Sequence, residues 1–459
     1  MSRPQQMTKA VSPPHVAVLA FPYGTHAAPL ISIIRHLAAL APEIHFSFLN
    51  TADSNAALFT SSVKTPPNLT RRDVPEPPSA GLTHHMLMPP SAGLTRHMLM
   101  VAFLSMAGEM FRREVAEAEK EVGRRATCLV TDALYEFAAE MAAEMGVAWL
   151  AFWTTGPAAL STHFHTDLIR EKFGCQGGRE LEELDFIPGM SKIRVQDIPP
   201  QVLDGNLDSV FTKKLHQMAR ALPKATSVFI NSFEALDPAI NSDLDSKLQK
   251  FLNIGPLSLL VPQMASADTH HCLPWLDARS ESSVAYISFG TVTVLPAHEL
   301  AAIAEALEAT RFPFLWSLKD EARTQLPDGF LDRASGLGKI VPWAPQVEIL
   351  AHRSVGVFIT HCGWNSVLEG VVSGVPMIGR PFFGDQKVNA RVIESVMGIG
   401  VVIEGGTFTK SGLAGCLEVV LAGEDGRRMR ERAEELKKAA REAVMEGGSS
   451  PKNRKCCWS

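Results

Sequence analysis

Short apolar, β-branched runs alternate with stretches of helical period along most of this chain, the pattern of a parallel sheet covered on both faces. His15 to Phe21 reads as a strand, Ala27 to Ala41 as a helix and His45 to Leu49 as the next strand. The strands Thr127 to Asp132, Ala148 to Phe152 and Ser227 to Asn231 follow, separated by helical patterns. A second series comprises Val284 to Phe289, Phe314 to Ser317, Lys339 to Val341, Val355 to Thr360 and Pro376 to Gly379. Between the series, Leu257 to Leu273 contains Pro and Ser without a clear period and reads as a linker. The expectation is an α/β protein of two doubly wound domains, residues 1–256 and 274–459, facing each other across a cleft and joined by residues 257–273.

Ligands of such sheets bind beyond the carboxyl ends of the strands, and the informative loops lie there: Tyr23 to His26, Asp132, Ser288 to Thr291 and the helix start at Asn365. The GxGxxG dinucleotide fingerprint is absent after the first strand, which disfavours a hydride-transfer enzyme. A chain of 459 residues with 46% hydrophobic and 20% charged residues is an ordinary globular composition with length for separate cores. The net charge of −5 argues against a nucleic-acid surface, which needs clustered Lys and Arg. No apolar run approaches the ~18 residues of a membrane span. Val16 to Phe21, between Pro13-Pro14 and Pro22, is too short for a signal-peptide core, so a cytoplasmic protein without membrane insertion is expected. The seven cysteines form no framework and read as reduced thiols.

The densest chemistry lies in WAPQVEILAHRSVGVFITHCGWNSVLEGVVSGVPMIGRPFFGDQ, the 44 residues from Trp343 to Gln386. Val355 to Ile359 is a β-branched run, Thr360 to Gly363 a turn and Trp364 the start of an amphipathic helix. Asn365 and Ser366 therefore fall where free backbone N–H groups attract phosphate. Trp343 alone would more often be core, and a lone His-x-Gly before a helix is ordinary turn chemistry. Together with Glu369 and Gly384-Asp385-Gln386 they outweigh that reading.

A second constellation joins His26 to Asp132. His26 stands where Gly24-Thr25 turns the chain into a helix, and a lone histidine there is commonly structural. Asp132 ends the apolar strand Cys128-Leu129-Val130-Thr131. A carboxylate there can accept a hydrogen bond from one imidazole nitrogen, fixing the tautomer and stabilising the imidazolium. Asp243-Leu244-Asp245 has the spacing some metal-dependent transferases use, but in SDLDSKLQK it reads as a solvated helical face, and His270-His271-Cys272 as a chance cluster. No metal is assigned. The run from Met98 through Met110, with Phe103 and Phe111, either lines an aromatic acceptor pocket or is the buried stripe of a helix.

The 44-residue block resembles the signature box of plant family 1 UDP-sugar glycosyltransferases. HVAVLAFPYGTHAAPL, EMAAEMGVAWLAFWTTGP, DFIPGMSKIRVQDIP, LPKATSVFINSFEALD and VAYISFGTVTV resemble the flavonoid (anthocyanidin and flavonol) 3-O-glucosyltransferases. The likeness runs from about His15 to Ser449 and implies two Rossmann-like domains in the GT-B arrangement, the first taking the acceptor and the second the UDP-sugar. By resemblance, Trp343 stacks on uracil, Gln346 and Glu369 hold the nucleoside, and His361, Asn365 and Ser366 hold the diphosphate. Trp364, Asp385 and Gln386 address the sugar, Thr154 touches it, and Ser288 and Thr291 help hold the nucleotide. Thr25 and Ala344 complete the donor set, and His97, His163, Phe382 and Asp385 join His26 as acceptor contacts. His26 is then the general base and Asp132 its partner, transferring glucose from UDP-glucose to the 3-hydroxyl of a flavonoid with inversion, without cofactor or metal, in a monomer. The alternatives are another sugar or phenolic acceptor, or a UDP-binding protein with impaired activity.

The chain departs from the resembling group in three places. PPSAGLTHHMLM at Pro77 to Met88 recurs as PPSAGLTRHMLM at Pro89 to Met100, an insertion a surface loop tolerates cheaply, at about 0.6 kcal/mol per doubling of length. Related enzymes place an acceptor-contacting Gln near this loop where Arg96 or His97 now stands, and Gly24 replaces a small hydroxyl residue. After Ser450 the residues PKNRKCCWS stand where the group continues into a last amphipathic helix, and loss of that helix is expected.

Overall fold

The computed structural model describes residues 13–60, 63–76, 92–174, 178–203, 209–260, 268–291 and 293–458. Strands β1 (His15–Leu19), β2 (His45–Thr51), β3 (Leu69–Val74), β4 (Cys128–Asp132), β5 (Ala148–Trp153), β6 (Ser227–Ile230) and β7 (Phe251–Asn253) form one sheet in the order β3-β2-β1-β4-β5-β6-β7. Strands β8 (Val284–Ser288), β9 (Phe314–Ser317), β10 (Gly338–Val341), β11 (Val355–Thr360), β12 (Met377–Gly379) and β13 (Gly400–Val402) form a second, ordered β10-β9-β8-β11-β12-β13. Parallel registers such as Val16↔Phe46, Val16↔Cys128 and Ile359↔Ile287 need helical crossovers, which is why helices separate the strands. The fold class is thus the doubly wound α/β one the periodicity predicts.

In each sheet the order reverses at one place, where a crevice opens beyond the strand ends. In the first sheet β1 lies between β2 and β4, and in the second β8 lies between β9 and β11. His26 and Asp132 follow or end β1 and β4, while Ser288 and His361 end or follow β8 and β11. Topology thus places each candidate group at a switch point. β1 is buried along its whole length, and β11 likewise, which explains their unbroken apolar runs. Around the second sheet Ile287, Phe314, Trp316, Val357 and Ile359 pack with Leu300, Ile303 and Leu307 of the helix Ala297–Thr310.

By packing, the chain divides into two compact units, Met1–Phe152 with Arg220–Val228 and Trp153–Ala219 with Phe229–Ser459. Residues 261–267 of the expected linker lie outside the described residues, as does the first copy of the tandem repeat. The second copy, from Ala92, is helical and opens the helix Ala92–Val122. Along it Phe103, Leu104, Ala107, Met110, Phe111, Val115 and Ala118 are buried at helical spacing. Phe103 meets Phe21, Tyr23 and Phe111 edge-on, so these positions are the buried stripe of a helix.

Three strands escape the sequence pattern. β3 and β7 are the edges of the first sheet and β13 an edge of the second; β3 carries Arg71, Arg72 and Asp73, and the other two are three residues long. Charged or short strands are how edges avoid pairing with other chains, and they leave little period to read. The tail also corrects an expectation. Ser449–Trp458 is a helix, fastened by the Ser450 hydroxyl to the Gly255 carbonyl and by the Asn453 amide to the carbonyl of Asn253 at 3.0 Å and to Glu234 at 2.8 Å. Its seats are polar side chains, so the weak apolar pattern of PKNRKCCWS hides it. Asp243 is no solvated acid either: it is buried, paired with Lys247 and 3.5 Å from His165 Nε2, and only Asp245 is exposed.

Candidate active site

The first group of residues gathers at the end of β1 and β4. Gly24 takes a left-handed φ of +67° and turns the chain so that His26 enters the helix Ala27–Leu40. Its Nδ1 lies 2.8 Å from Asp132 Oδ2. Asp132 is buried and its Oδ1 accepts the backbone N–H of Leu134 at 2.9 Å, so the carboxylate is held from both oxygens. A carboxylate only accepts, hence Nδ1 carries the proton and Nε2 the lone pair. The imidazole is a base whose second nitrogen is backed by a fixed negative charge. Thr25 is exposed on the same turn. His97 lies in the helix Ala92–Val122 with its side chain outside the described residues.

The second group is built on β8, β11 and β12, all in the other compact unit. After β11, Cys362 adopts φ +63° and Gly363 opens the helix Trp364–Ser373 with no side-chain cap, leaving the first-turn N–H groups to an anion. His361 packs so closely that a Cβ on Gly363 would stand 2.4 Å from its Nε2, and one on Gly290 3.1 Å from its Cε1. Burial pushes His361 down to about 4, so the ring is neutral at physiological pH, and its Nδ1 is buried without a partner. A neutral imidazole with an unclaimed nitrogen beside a helix start suits an oxyanion ligand. Ser288 is buried at the end of β8, and Thr291 is exposed, its carbonyl accepting from Lys319 Nζ at 2.8 Å.

One network ties the expected nucleoside residues together. Gln346 Nε2 donates to Glu369 Oε2 at 2.6 Å and Ser366 Oγ at 3.2 Å, and its Oε1 accepts from Tyr286 Oη at 3.2 Å. Burial pushes the Glu369 carboxyl up to about 7, opposed by the Gln346 hydrogen bond. Trp343 is 46% exposed, as a stacking plate must be, with Ala344 buried beside it. Asn365 is half-buried on the first helical turn.

The expected sugar residues show a division of labour the sequence could not reveal. Gln386 Oε1 already accepts the N–H groups of Phe382 at 2.8 Å and Phe383 at 3.2 Å, so the acceptor half of this side chain is taken up by the backbone. Only its NH₂ group can address a ligand. Trp364 is buried, its indole N–H donating to the Asn231 carbonyl at 2.8 Å. Its ring lies where a Cβ on Gly156 would come within 2.8 Å, so only glycine fits there. Asp385 Oδ2 accepts from Asn389 Nδ2 at 2.7 Å. Thr154 is buried just after β5, and His163, on the helix Pro157–Phe164, is buried edge-on to Trp153 and pushed down to about 4 by burial. Phe382 is half-buried under the Arg380 guanidinium, 3.7 Å from its ring. Arg380 is itself clamped by buried Glu299 at 2.5 and 3.1 Å. Tyr286, Asn231, Gly156, Asn389 and the Glu299–Arg380 pair are the site residues sequence reading missed.

Among the described residues no three His, Cys, Asp or Glu side chains are grouped to hold a metal ion, and no helix is long and apolar enough to cross a membrane.

An uncapped helix start, a neutral histidine, an exposed Trp and a carboxamide–carboxylate pair are groups of the kind a nucleoside diphosphate requires. Residues 262–430 match the family described as UDP-glucoronosyl and UDP-glucosyl transferase. A flavonol 3-O-glucosyltransferase of Arabidopsis thaliana is 52% identical over 456 residues, covering 97% of each chain. An anthocyanidin 3-O-galactosyltransferase of Actinidia chinensis var. chinensis is 48% identical over 451 residues, again covering 97% of each. Among solved structures, a UDP-glucose:anthocyanidin 3-O-glucosyltransferase in complex with UDP superposes with a TM-score of 0.91 at 39% identity, covering 97% of this chain and 98% of that one. The chain belongs to the UDP-glycosyltransferase family of plants and has its GT-B fold. It is a glycosyltransferase.

Proposed function

We propose that this glycosyltransferase moves glucose from UDP-glucose to the 3-hydroxyl of a flavonoid, an anthocyanidin or flavonol, with inversion to a β-glucoside and without a metal or other cofactor. The observation that carries the reading is the 2.8 Å pair of His26 Nδ1 and Asp132 Oδ2. His26 Nε2 takes the proton of the acceptor hydroxyl as its oxygen attacks the anomeric carbon; the bond from that carbon to the phosphate oxygen breaks, and UDP leaves. Direct displacement inverts the anomeric centre. Asp132 stabilises the imidazolium that forms, and the helix start at Asn365 with His361, Ser288 and Thr291 takes up the growing diphosphate charge.

The acceptor class rests on the relatives that act on anthocyanidins and flavonols. Glucose is favoured by the end of the signature block. Gln386 supplies an amide donor and Asp385 an acceptor, a set for neighbouring hydroxyls, and Trp364 stands where glucuronosyl enzymes of the family carry Arg. Galactose is the competing sugar, named for a relative almost as similar; the family resemblance implies His in place of Gln386 for that sugar. The test offers purified protein UDP-glucose, UDP-galactose and UDP-glucuronate with a panel of flavonols and anthocyanidins, locating products by NMR. A 3-O-β-glucoside formed fastest from UDP-glucose is expected; equal use of UDP-galactose, or no transfer to any flavonoid, overturns the assignment.

A further inference from the structure

Asn389, one helical turn beyond Asp385 on the helix Gln386–Arg391, is 1% exposed. Its NH₂ group donates twice, to the Cys362 carbonyl at 3.0 Å and to Asp385 Oδ2 at 2.7 Å. Both partners are pure acceptors, which settles the orientation of the amide. The two hydrogens of one side chain thus join the turn that forms the anion seat to the carboxylate expected to read the sugar. Its Oδ1 is buried with no partner and faces Gly156, whose missing Cβ would stand 3.2 Å away. Gly156 in turn follows Thr154 and abuts Trp364. Gly156, Cys362 and Asp385, from three segments of one compact unit, therefore meet on this amide.

We infer that Asn389 is a positioning residue that sets donor-sugar discrimination: it fixes the Asp385 carboxylate relative to the diphosphate turn. This rests on the reading of Asp385 as a sugar contact. A carboxylate on a side chain free to rotate would accept from hydroxyls of either orientation; one pinned through Oδ2 presents a single plane. The strain of Cys362 at φ +63° adds to the need, because the tethered carbonyl belongs to the residue in the left-handed region. Misplacement of about 1 Å in a reacting array costs on the order of a hundredfold in rate.

The test compares wild type with Asn389→Ala and Asn389→Ser. Calorimetry measures the affinity of UDP and of UDP-glucose, and kinetics the kcat/KM ratio for UDP-glucose over UDP-galactose. The expected result is UDP affinity within about threefold of wild type, loss of any extra affinity that the glucosyl group adds, and a donor ratio reduced about tenfold or more. A purely structural role would lower the melting temperature and leave the ratio per folded molecule unchanged, which overturns the inference. If Asn389→Ala does not fold, Asn389→Ser, which keeps one donor, decides: a wild-type ratio overturns the proposal, an intermediate one supports it. Calorimetry needs no acceptor, so absence of flavonoid transfer by wild type would defeat the acceptor assignment while leaving this question answerable.

Discussion

Replacing Glu369 by Gln tests whether the Tyr286–Gln346–Glu369 network is as sequestered as its geometry implies. Burial raises this carboxyl from 4.5 to about 7. The native state therefore holds the proton more tightly than the unfolded chain does. The stability contributed by protonated Glu369 is fully present below pH 4.5 and is lost as pH rises through about 7, by about 3 kcal/mol in all. Gln cannot titrate, and its carbonyl keeps an acceptor for the Gln346 N–H that Glu369 takes at 2.6 Å. Glu369→Gln should match wild type below pH 4.5 and exceed it progressively from there toward pH 8.5. Asp237, pushed up to about 7 by burial, acts with the same sign, while His163 and His361, both lowered to about 4, lose stability as pH falls below 6.5. The readout is therefore the difference between variant and wild type in thermal and urea unfolding at each pH, which cancels these groups. A difference that stays flat from pH 5 to 8.5 would refute the argument.

His26→Ala should lower turnover by about 10² to 10⁴ with UDP affinity nearly intact, and Asp132→Asn should move the same way, both read by initial rates and calorimetry on folded protein. Glu299→Ala strands Arg380 in a buried site and should cost about 3–5 kcal/mol in denaturant unfolding; a loss under 1 kcal/mol would mean the pair is not closed to water. Turnover should persist in EDTA. Activity that vanishes and returns with Mg²⁺ or Mn²⁺ would require Asp243 to leave Lys247 and His165.

Strands β1, β4, β8 and β11 were legible because each is buried on both faces and so is written as a near-continuous apolar run. Loops at their carboxyl ends then drew attention to His26, Asp132, Ser288 and the helix start at Asn365, while His361 was named only through the family resemblance. What the sequence withheld depends on pairings it does not space regularly. Glu299 and Arg380 are 81 positions apart, Trp364 and Asn231 133, and Tyr286 and Gln346 60, and none sits in a motif that names its partner. Asn389 lies just beyond the signature block, and its only sequence signal is the i, i+4 spacing from Asp385. Gln386 shows the complementary limit: its residue type announces a donor and an acceptor, and only the backbone around Phe382 removes one of them.

Helix Ser449–Trp458 has a colloidal consequence. β7 ends its sheet, and an edge left bare offers carbonyls to a strand from another molecule. Asn453 occupies the Asn253 carbonyl and Ser450 that of Gly255 just beyond the strand, so carbonyls at this edge are taken up from within the chain. Protein ending at Gly448 should become turbid as its concentration rises, at a temperature where the intact chain stays clear. Shelf life of this enzyme in solution then hinges on the ten residues of that helix.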